Sequence, residues 1–234
     1  MKEADVEMNP FWKPRVKICC IADVNEAWLA TQYGASALGL VSEMPSGPGV
    51  ISENRIARIA KILPPSVSSF LLTSKQDPAA IIEQHKRCGT NVIQLCDRLK
   101  TESYMELREA RPGIGLVQVI HVNDETALEE ASAVGPYVNG ILLDSGNQTL
   151  RVKQLGGTGR THDWSLSRRI RQKVNVPVFL AGGLTPENVG EALGKVQPFA
   201  VDVCNGVRTD GKLDEKKLKA FVRKASAFKP PAIG

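Results

Sequence analysis

Aromatic residues are scarce in this chain. They make up 5% of its 234 residues, while 42% are hydrophobic. A hydrophobic set built mostly from Val, Ile, Leu and Ala favours α/β packing over a β-sandwich. CxxC spacing is also missing. The five cysteines, Cys19, Cys20, Cys88, Cys96 and Cys204, are odd in number and scattered. That argues against a disulfide framework or a zinc site and points to a reducing, cytoplasmic compartment. No apolar run is long enough to span a membrane, and the charged residues 1–14 lack the apolar core of a signal peptide. The net charge of +5 is mild, and Lys and Arg are nowhere interleaved with aromatics. Nucleic acid is therefore not the expected partner, whereas an anionic small molecule is.

What the chain does have is a regular alternation. Apolar strand candidates fall at 16–20, 37–41, 67–73, 91–96, 115–121, 138–144, 176–181 and 199–203. Helical patterns follow them at 25–33, 52–62, 78–88, 102–110, 125–134, 165–173, 186–194 and 214–225. Ser52 caps the second helix, with Ile56, Ile59, Ala60 and Leu63 as its apolar stripe, and Pro64-Pro65 ends it. Thr185 is expected to cap the seventh, with Pro186 in the first helical position. The Lys-rich end, residues 212–229, reads as a solvated helix face, and His85 as a surface residue. Eight strand–helix units without a composition shift read as a single (βα)8 TIM barrel over 15–228, flanked by tails at 1–14 and 229–234. A doubly wound open sheet is the alternative.

In such a barrel, function sits at the C-terminal strand ends. The run Ala181-Gly-Gly-Leu-Thr-Pro-Glu187 breaks a strand at two glycines and feeds a helix. It reads either as turn chemistry or as a phosphate cradle of backbone N–H groups. Its place after strand seven, beside Asn205-Gly206 after strand eight, favours phosphate. Cys19 ends strand one with Lys17 one pleat below, so it is either a buried free thiol or a base of depressed pKa. Asp144 ends an apolar run and is either a cap or a pocket carboxyl. A thiolate base facing a carboxylic acid suits proton transfer on a sugar phosphate, with no metal or redox cofactor implied. Asp202 contacts a substrate hydroxyl or amine, or pairs with a neighbouring base. His121 faces the pocket or is structural. The glycine-rich run 156–164, at the end of a long loop over 145–163, reads as a phosphate loop or a lid.

Together these motifs resemble the phosphoribosylanthranilate isomerase family of tryptophan biosynthesis. Val16-Lys-Ile-Cys19 is similar to its first strand, and Leu142-Leu-Asp144-Ser to its sixth. Gly156-Gly-Thr-Gly-Arg-Thr-His-Asp-Trp164 resembles its GG-T/S-G-K-T-F-D-W run. Ala181 to Val189 and Val201 to Val207 resemble AGGL-x-P-E-N-V and V-D-V-S-S-G-V. The resemblance covers about residues 16–225. It implies a cofactor-independent Amadori rearrangement of N-(5-phosphoribosyl)anthranilate, with Asp144 as general acid and Cys19 as general base. Lys17, Gly157, Gly159, Arg160, Gly182, Gly183, Asp202, Asn205 and Gly206 are then the substrate- and phosphate-binding set. A monomer or homodimer is expected, with no nucleic-acid or membrane partner.

The chain also departs from the family pattern. The arginine that contacts the anthranilate carboxylate falls on Gly49, the glycine after the base is Cys20, and the strand-four histidine is Cys96. The loop after strand six is longer, with Arg151 and Lys153 inserted. Loss of that arginine costs roughly 2–5 kcal/mol of binding unless another cation replaces it. Arg151, Arg160 and Arg208 are the candidates. The alternatives are an isomerase of similar mechanism on a different phosphorylated sugar, or a non-catalytic phosphosugar-binding barrel.

Overall fold

The computed structural model describes residues 13–146, 150–157 and 159–229. Residues 1–12 and 230–234 of the expected tails lie outside the described residues, as do 147–149 and Thr158 of the loop after the sixth strand.

Eight parallel strands close into a barrel in sequence order. They are β1 Arg15–Ile18, β2 Ala37–Val41, β3 Ser68–Thr73, β4 Val92–Leu95, β5 Gly115–His121, β6 Gly140–Asp144, β7 Val178–Leu180 and β8 Ala200–Val203. Eight helices form the outer layer: α1 Val24–Gln32, α2 Glu53–Ile62, α3 Pro78–Cys88, α4 Thr101–Ala110, α5 Thr126–Val134, α6 Trp164–Lys173, α7 Val189–Val196 and α8 Glu215–Ala227. The ring closes between β1 and β8, with Lys17 opposite Asp202 and Ile18 opposite Val203.

The period of two divides each strand between two cores. Ile18, Leu38, Leu40, Leu71, Ile93, Leu95, Ile120 and Leu143 point outward under the helices. Ala37, Val41, Phe70, Leu72, Val117, Val119, Leu142, Phe179 and Ala200 fill the lumen. The same inward parity, continued toward the C-terminal ends, reaches Cys19, Cys96, His121, Asp144 and Asp202. The lumen is thus a packed apolar plug with a polar layer on top. Phe70 and Phe179 meet edge-on at 5.8 Å, and the Lys17 ammonium lies 5.2 Å from the Phe70 ring centre.

Local signals set most boundaries. Ser52 accepts from the Arg55 N–H at the start of α2, and Ile56 and Ile59 are buried beneath it. Asp77 caps α3, whose first residue is Pro78, and Gly89 ends it at φ 64°. In α8, Leu218, Phe221, Val222 and Ala225 are buried while Lys216, Lys217 and Lys219 face solvent.

Three expectations are corrected. Helix α7 starts at Val189, not Pro186, because residues 186–188 form a turn first. Thr185 caps that turn, accepting from the Glu187 N–H at 3.2 Å, while its carbonyl takes the Val189 N–H. Asn188 braces it by accepting from the Thr185 N–H and donating to the Gly183 carbonyl. His85 is buried, not on the surface: it shares the inner stripe of α3 with Ile81 and Cys88, and its Nε2 meets the Thr90 carbonyl at 2.8 Å. The first strand ends at Ile18, two residues early, since Cys20 adopts φ 61° and leaves the ladder. A short hairpin not read from the sequence, β9 Arg208–Thr209 with β10 Lys212–Leu213, follows β8.

Candidate active site

A cavity of about 280 Å³ opens at the C-terminal ends of the strands. Cys19, Cys20, Gln94, Cys96, Asp144 and Asp202 line it, together with glycines of the loops after β6, β7 and β8. Cys19 and Asp144, which lie 125 residues apart in sequence, therefore share one cavity.

Cys19 stands where β1 gives way to its loop. Room for it comes from Gly39 on β2, where a Cβ would lie 2.7 Å from the Cys19 sulfur and 3.1 Å from the Lys17 ammonium. Lys17 is fully buried one pleat below and donates to Asp202 at 2.8 Å. Burial alone would favour the neutral amine, but the Asp202 carboxylate and the adjacent Cys19 hold the Lys17 pKa above its ordinary value. Lys17 is absent from the cavity lining. It lies beneath the cavity, paired with Asp202 and next to Cys19. For Cys19, the neighbouring Cys20 thiol is the main influence that lowers the pKa; Lys17 adds to it and burial opposes it. Asp202 keeps its second oxygen, Oδ1, buried without a partner among the described residues, and it lines the cavity.

Asp144 is enclosed from both sides. A Cβ on Gly156 would lie 2.7 Å from its Oδ2, and one on Gly182 would lie 3.1 Å from its Oδ1. Oδ1 accepts from the Ser145 N–H at 2.7 Å. Burial pushes the carboxyl pKa up; the Ser145 bond and the charge of His121 offset only part of this. His121 is buried with Nε2 3.3 Å from the Cys96 carbonyl, and burial lowers its pKa. His162 stands against Gly182 on the loop side, and burial brings its pKa down to about 4, so it is neutral.

The loops after β6, β7 and β8 interlock through glycine. Gly182 and Gly183 have φ 78° and 61°, and a Cβ on Gly183 would meet the Arg160 carbon and the Thr161 nitrogen at 2.6 Å. Asn205 donates from Nδ2 to the Gly157 carbonyl at 3.1 Å. Gly157, Gly159, Gly182, Gly183, Asn205 and Gly206 all line the cavity. Arg160 does not; its exposed side chain donates to Gln154, and its backbone rather than its guanidinium meets Gly183.

The opposite wall is built from Met44, Ser46, Pro48, Leu72 and Gln94, with Cys96 below. Among the described residues, the cavity lining contains no Arg or Lys. Arg208 is corrected as a substrate-binding candidate: its guanidinium pairs with Glu26 and donates to the Cys20 and Gly211 carbonyls. Arg151 is exposed. Lys153 reaches this wall instead. Its ammonium pairs with buried Asp97, the residue after Cys96, and its carbonyl accepts from the Ser46 hydroxyl at 2.7 Å. The sequence marks Lys153 as an insertion but gives Gln94, Asp97, Lys153 and the Ser46–Pro48 segment no role in the site, because nothing local marks contacts made across the mouth.

Among the described residues, no three or more His, Cys, Asp or Glu cluster to hold a metal ion, and no helix is long and apolar enough to cross a membrane. The family described as N-(5'phosphoribosyl)anthranilate (PRA) isomerase matches residues 16–224. The N-(5'-phosphoribosyl)anthranilate isomerase of Methanocella arvoryzae is 32% identical over 216 residues, covering 92% of this chain and 99% of its own. The solved phosphoribosyl anthranilate isomerase of Thermotoga maritima superposes with a TM-score of 0.78 at 33% identity, covering 91% of this chain and 98% of its own. A solved isomerase in complex with reduced 1-(o-carboxyphenylamino)-1-deoxyribulose 5-phosphate gives a TM-score of 0.76 at 31% identity, covering 91% and 98%. With the family's sequence matched over nearly the whole barrel, and the fold with it, this chain belongs to the N-(5'-phosphoribosyl)anthranilate isomerase family.

Proposed function

We propose that this chain catalyses the Amadori rearrangement of N-(5'-phosphoribosyl)anthranilate to 1-(2-carboxyphenylamino)-1-deoxyribulose 5-phosphate. The observation that carries the reading is the pairing of Cys19 and Asp144 in one cavity, with environments that push their pKa values in opposite directions. The reaction needs a thiolate and a carboxylic acid together. At ordinary values of 9.0 and 3.8 both forms would coexist in only about one molecule in 10⁵ at any pH between. Each unit of convergence raises that fraction tenfold, which is what burial of Asp144 and the partners of Cys19 supply.

Asp144 gives its proton to the furanose ring oxygen, and the C1–O bond opens to a Schiff base. Cys19 removes the C2 proton, leaving an enolamine that tautomerises to the ketone. Protons and electrons balance within the isomerisation, so no redox partner enters. The Asp202 Oδ1, which has no protein partner among the described residues, accepts from the substrate amine or a hydroxyl. The phosphate rests on the glycine loops, where positive φ and missing side chains let an anion approach the backbone. For the anthranilate carboxylate we assign Lys153: it lies outside the cavity lining and is paired with Asp97, and it would exchange that partner for the carboxylate from the inserted loop, whose Lys153 carbonyl already holds Ser46 of the wall opposite the glycine loops. Free thiols at all five cysteines suit a reducing, cytoplasmic setting.

The test is direct: generate phosphoribosylanthranilate in situ and follow loss of its fluorescence with the purified chain. Turnover is expected, and none above background overturns the reading. The second reading, the same mechanism on another phosphorylated sugar, draws on Gly49. It predicts turnover of a pentose phosphate without the aromatic group.

A further inference from the structure

Cys20 is held against its backbone preference. Its φ of 61° lies in the left-handed region, which a side chain with a Cβ enters at a cost. Gly49, at φ 80°, stands opposite; a Cβ there would lie 2.5 Å from the Cys20 Cβ. Cys20 directly follows Cys19, so this turn fixes how the chain leaves β1 at the candidate base. Strain of this kind persists only where surrounding contacts over-determine it.

Those contacts are on the page. The Cys19 N–H donates to the Val203 carbonyl at 2.8 Å, and the Ile21 N–H to the Gly39 carbonyl at 3.1 Å. Between these two tethers the Cys20 carbonyl accepts from Arg208 Nη2. Nη2 also donates to Glu26 Oε2 at 2.8 Å, while Nη1 donates to Glu26 Oε1 and to the Gly211 carbonyl, each at 2.9 Å. Every Nη hydrogen of Arg208 is thereby used. Glu26 accepts in addition from the Ala22 and Leu213 N–H groups, each at 2.9 Å. One largely buried ion pair thus joins the Cys20–Ala22 segment, α1 and the β9–β10 hairpin. Neither of its residues lines the cavity.

We propose that Arg208, braced by Glu26, is a positioning residue for Cys19: it holds the left-handed turn at Cys20 that keeps the Cys19 sulfur in the cavity. A guanidinium suits this task because its bidentate pairing with a carboxylate leaves one hydrogen on each Nη for a carbonyl; an ammonium has no such fork. The proposal rests on the reading of Cys19 as the base. Arg208 also follows the Asn205–Val207 turn, which the proposed function gives to phosphate. That backbone is held without the guanidinium. The Asp214 N–H donates to the Val207 carbonyl and the Lys217 ammonium to the Arg208 carbonyl, both at 2.9 Å. The two routes to the site separate in kinetics, since a disturbed phosphate turn raises KM whereas a displaced base lowers kcat.

The experiment compares the wild type with Arg208→Met and Arg208→Lys by steady-state kinetics on phosphoribosylanthranilate and by amide hydrogen exchange at Ile21. In Arg208→Met, kcat should fall about thirtyfold with KM within about twofold of wild type. Arg208→Lys should fall between the two. The Ile21 amide should exchange at least ~10-fold faster in Arg208→Met. A kcat within about twofold of wild type, or a loss carried by KM alone, overturns the proposal. Arg208→Met leaves the Glu26 charge unpaired; if it does not fold, Glu26→Gln with Arg208→Gln supplies the same measurements without that charge. A wild type without turnover would overturn the isomerase reading. The exchange rates would still decide the hold of Arg208 on the turn, and an unchanged Ile21 rate would overturn it.

Discussion

The two walls of the cavity are built by different means. The wall after β6, β7 and β8 is backbone: glycines at positive φ, braced by Asn188 and Asn205. The wall after β1, β2 and β4 is side chain: Cys20 against Gly49, Cys96, and Asp97 paired with Lys153. A backbone cradle depends on conformation, which short sequence runs encode. A side-chain wall depends on which residues meet across the barrel mouth, so the chain can exchange one solution for another. Gly49 and Cys20 show such an exchange, since the volume given up at one position is occupied from the other.

The largest effect should come where the walls meet the reacting atoms. Cys19→Ser and Asp144→Asn should each lower kcat by at least ~10²-fold with folding intact, as measured by steady-state kinetics and circular dichroism. Near-normal rates in either variant would refute its role as base or acid. Asp144→Asn should also change stability. A carboxyl whose folded pKa is raised binds its proton more tightly folded than unfolded. Its contribution is therefore lost as pH rises from the ordinary carboxyl value through the raised one. The Asn variant should have a higher urea midpoint at neutral pH, and the gain should vanish in acid.

Next comes the backbone wall. Gly183→Ala places a Cβ 2.6 Å from backbone atoms of residues 160 and 161 at φ 61°. It should cost about 1–3 kcal/mol of stability and raise KM for the phosphorylated substrate more than it lowers kcat. A KM left unchanged would separate this loop from phosphate binding.

The side-chain wall should respond more gently. Lys153 is partly exposed, so Lys153→Met should raise KM by roughly fivefold, about 1 kcal/mol. The effect should disappear with N-(5'-phosphoribosyl)aniline, which lacks the carboxylate. Equal effects on both substrates would remove Lys153 from carboxylate recognition. Smallest is the effect of Cys20→Gly on stability: relief of the left-handed strain, less the lost thiol packing, should stabilise by about 1 kcal/mol in urea unfolding. A destabilised Gly variant would mean that packing against Gly49 outweighs the strain.

The order of strands and helices, the placing of Cys19, Asp144 and Asp202 near the C-terminal strand ends, and the glycine turn after β7 were legible in the sequence. Periodicity, capping and turn chemistry act within a few residues, so local sequence carries them. Helix α7 starts three residues later than its sequence pattern suggests because Pro186 suits a turn as well as a helix start, and the Asn188 side chain decides between them. His85 reads as a surface residue because its ring is polar, although Ile81 and Cys88 at i−4 and i+3 mark its face as the buried one and the Thr90 carbonyl supplies its partner. Tertiary structure alone decided the rest. Lys17 meets Asp202 only when the barrel closes, Asp97 meets Lys153 only when the loop crosses the mouth, and Cys20 faces Gly49 only when β1 and the β2 loop are neighbours. These contacts join residues far apart in the chain, and charge, burial and excluded volume act through space rather than along it.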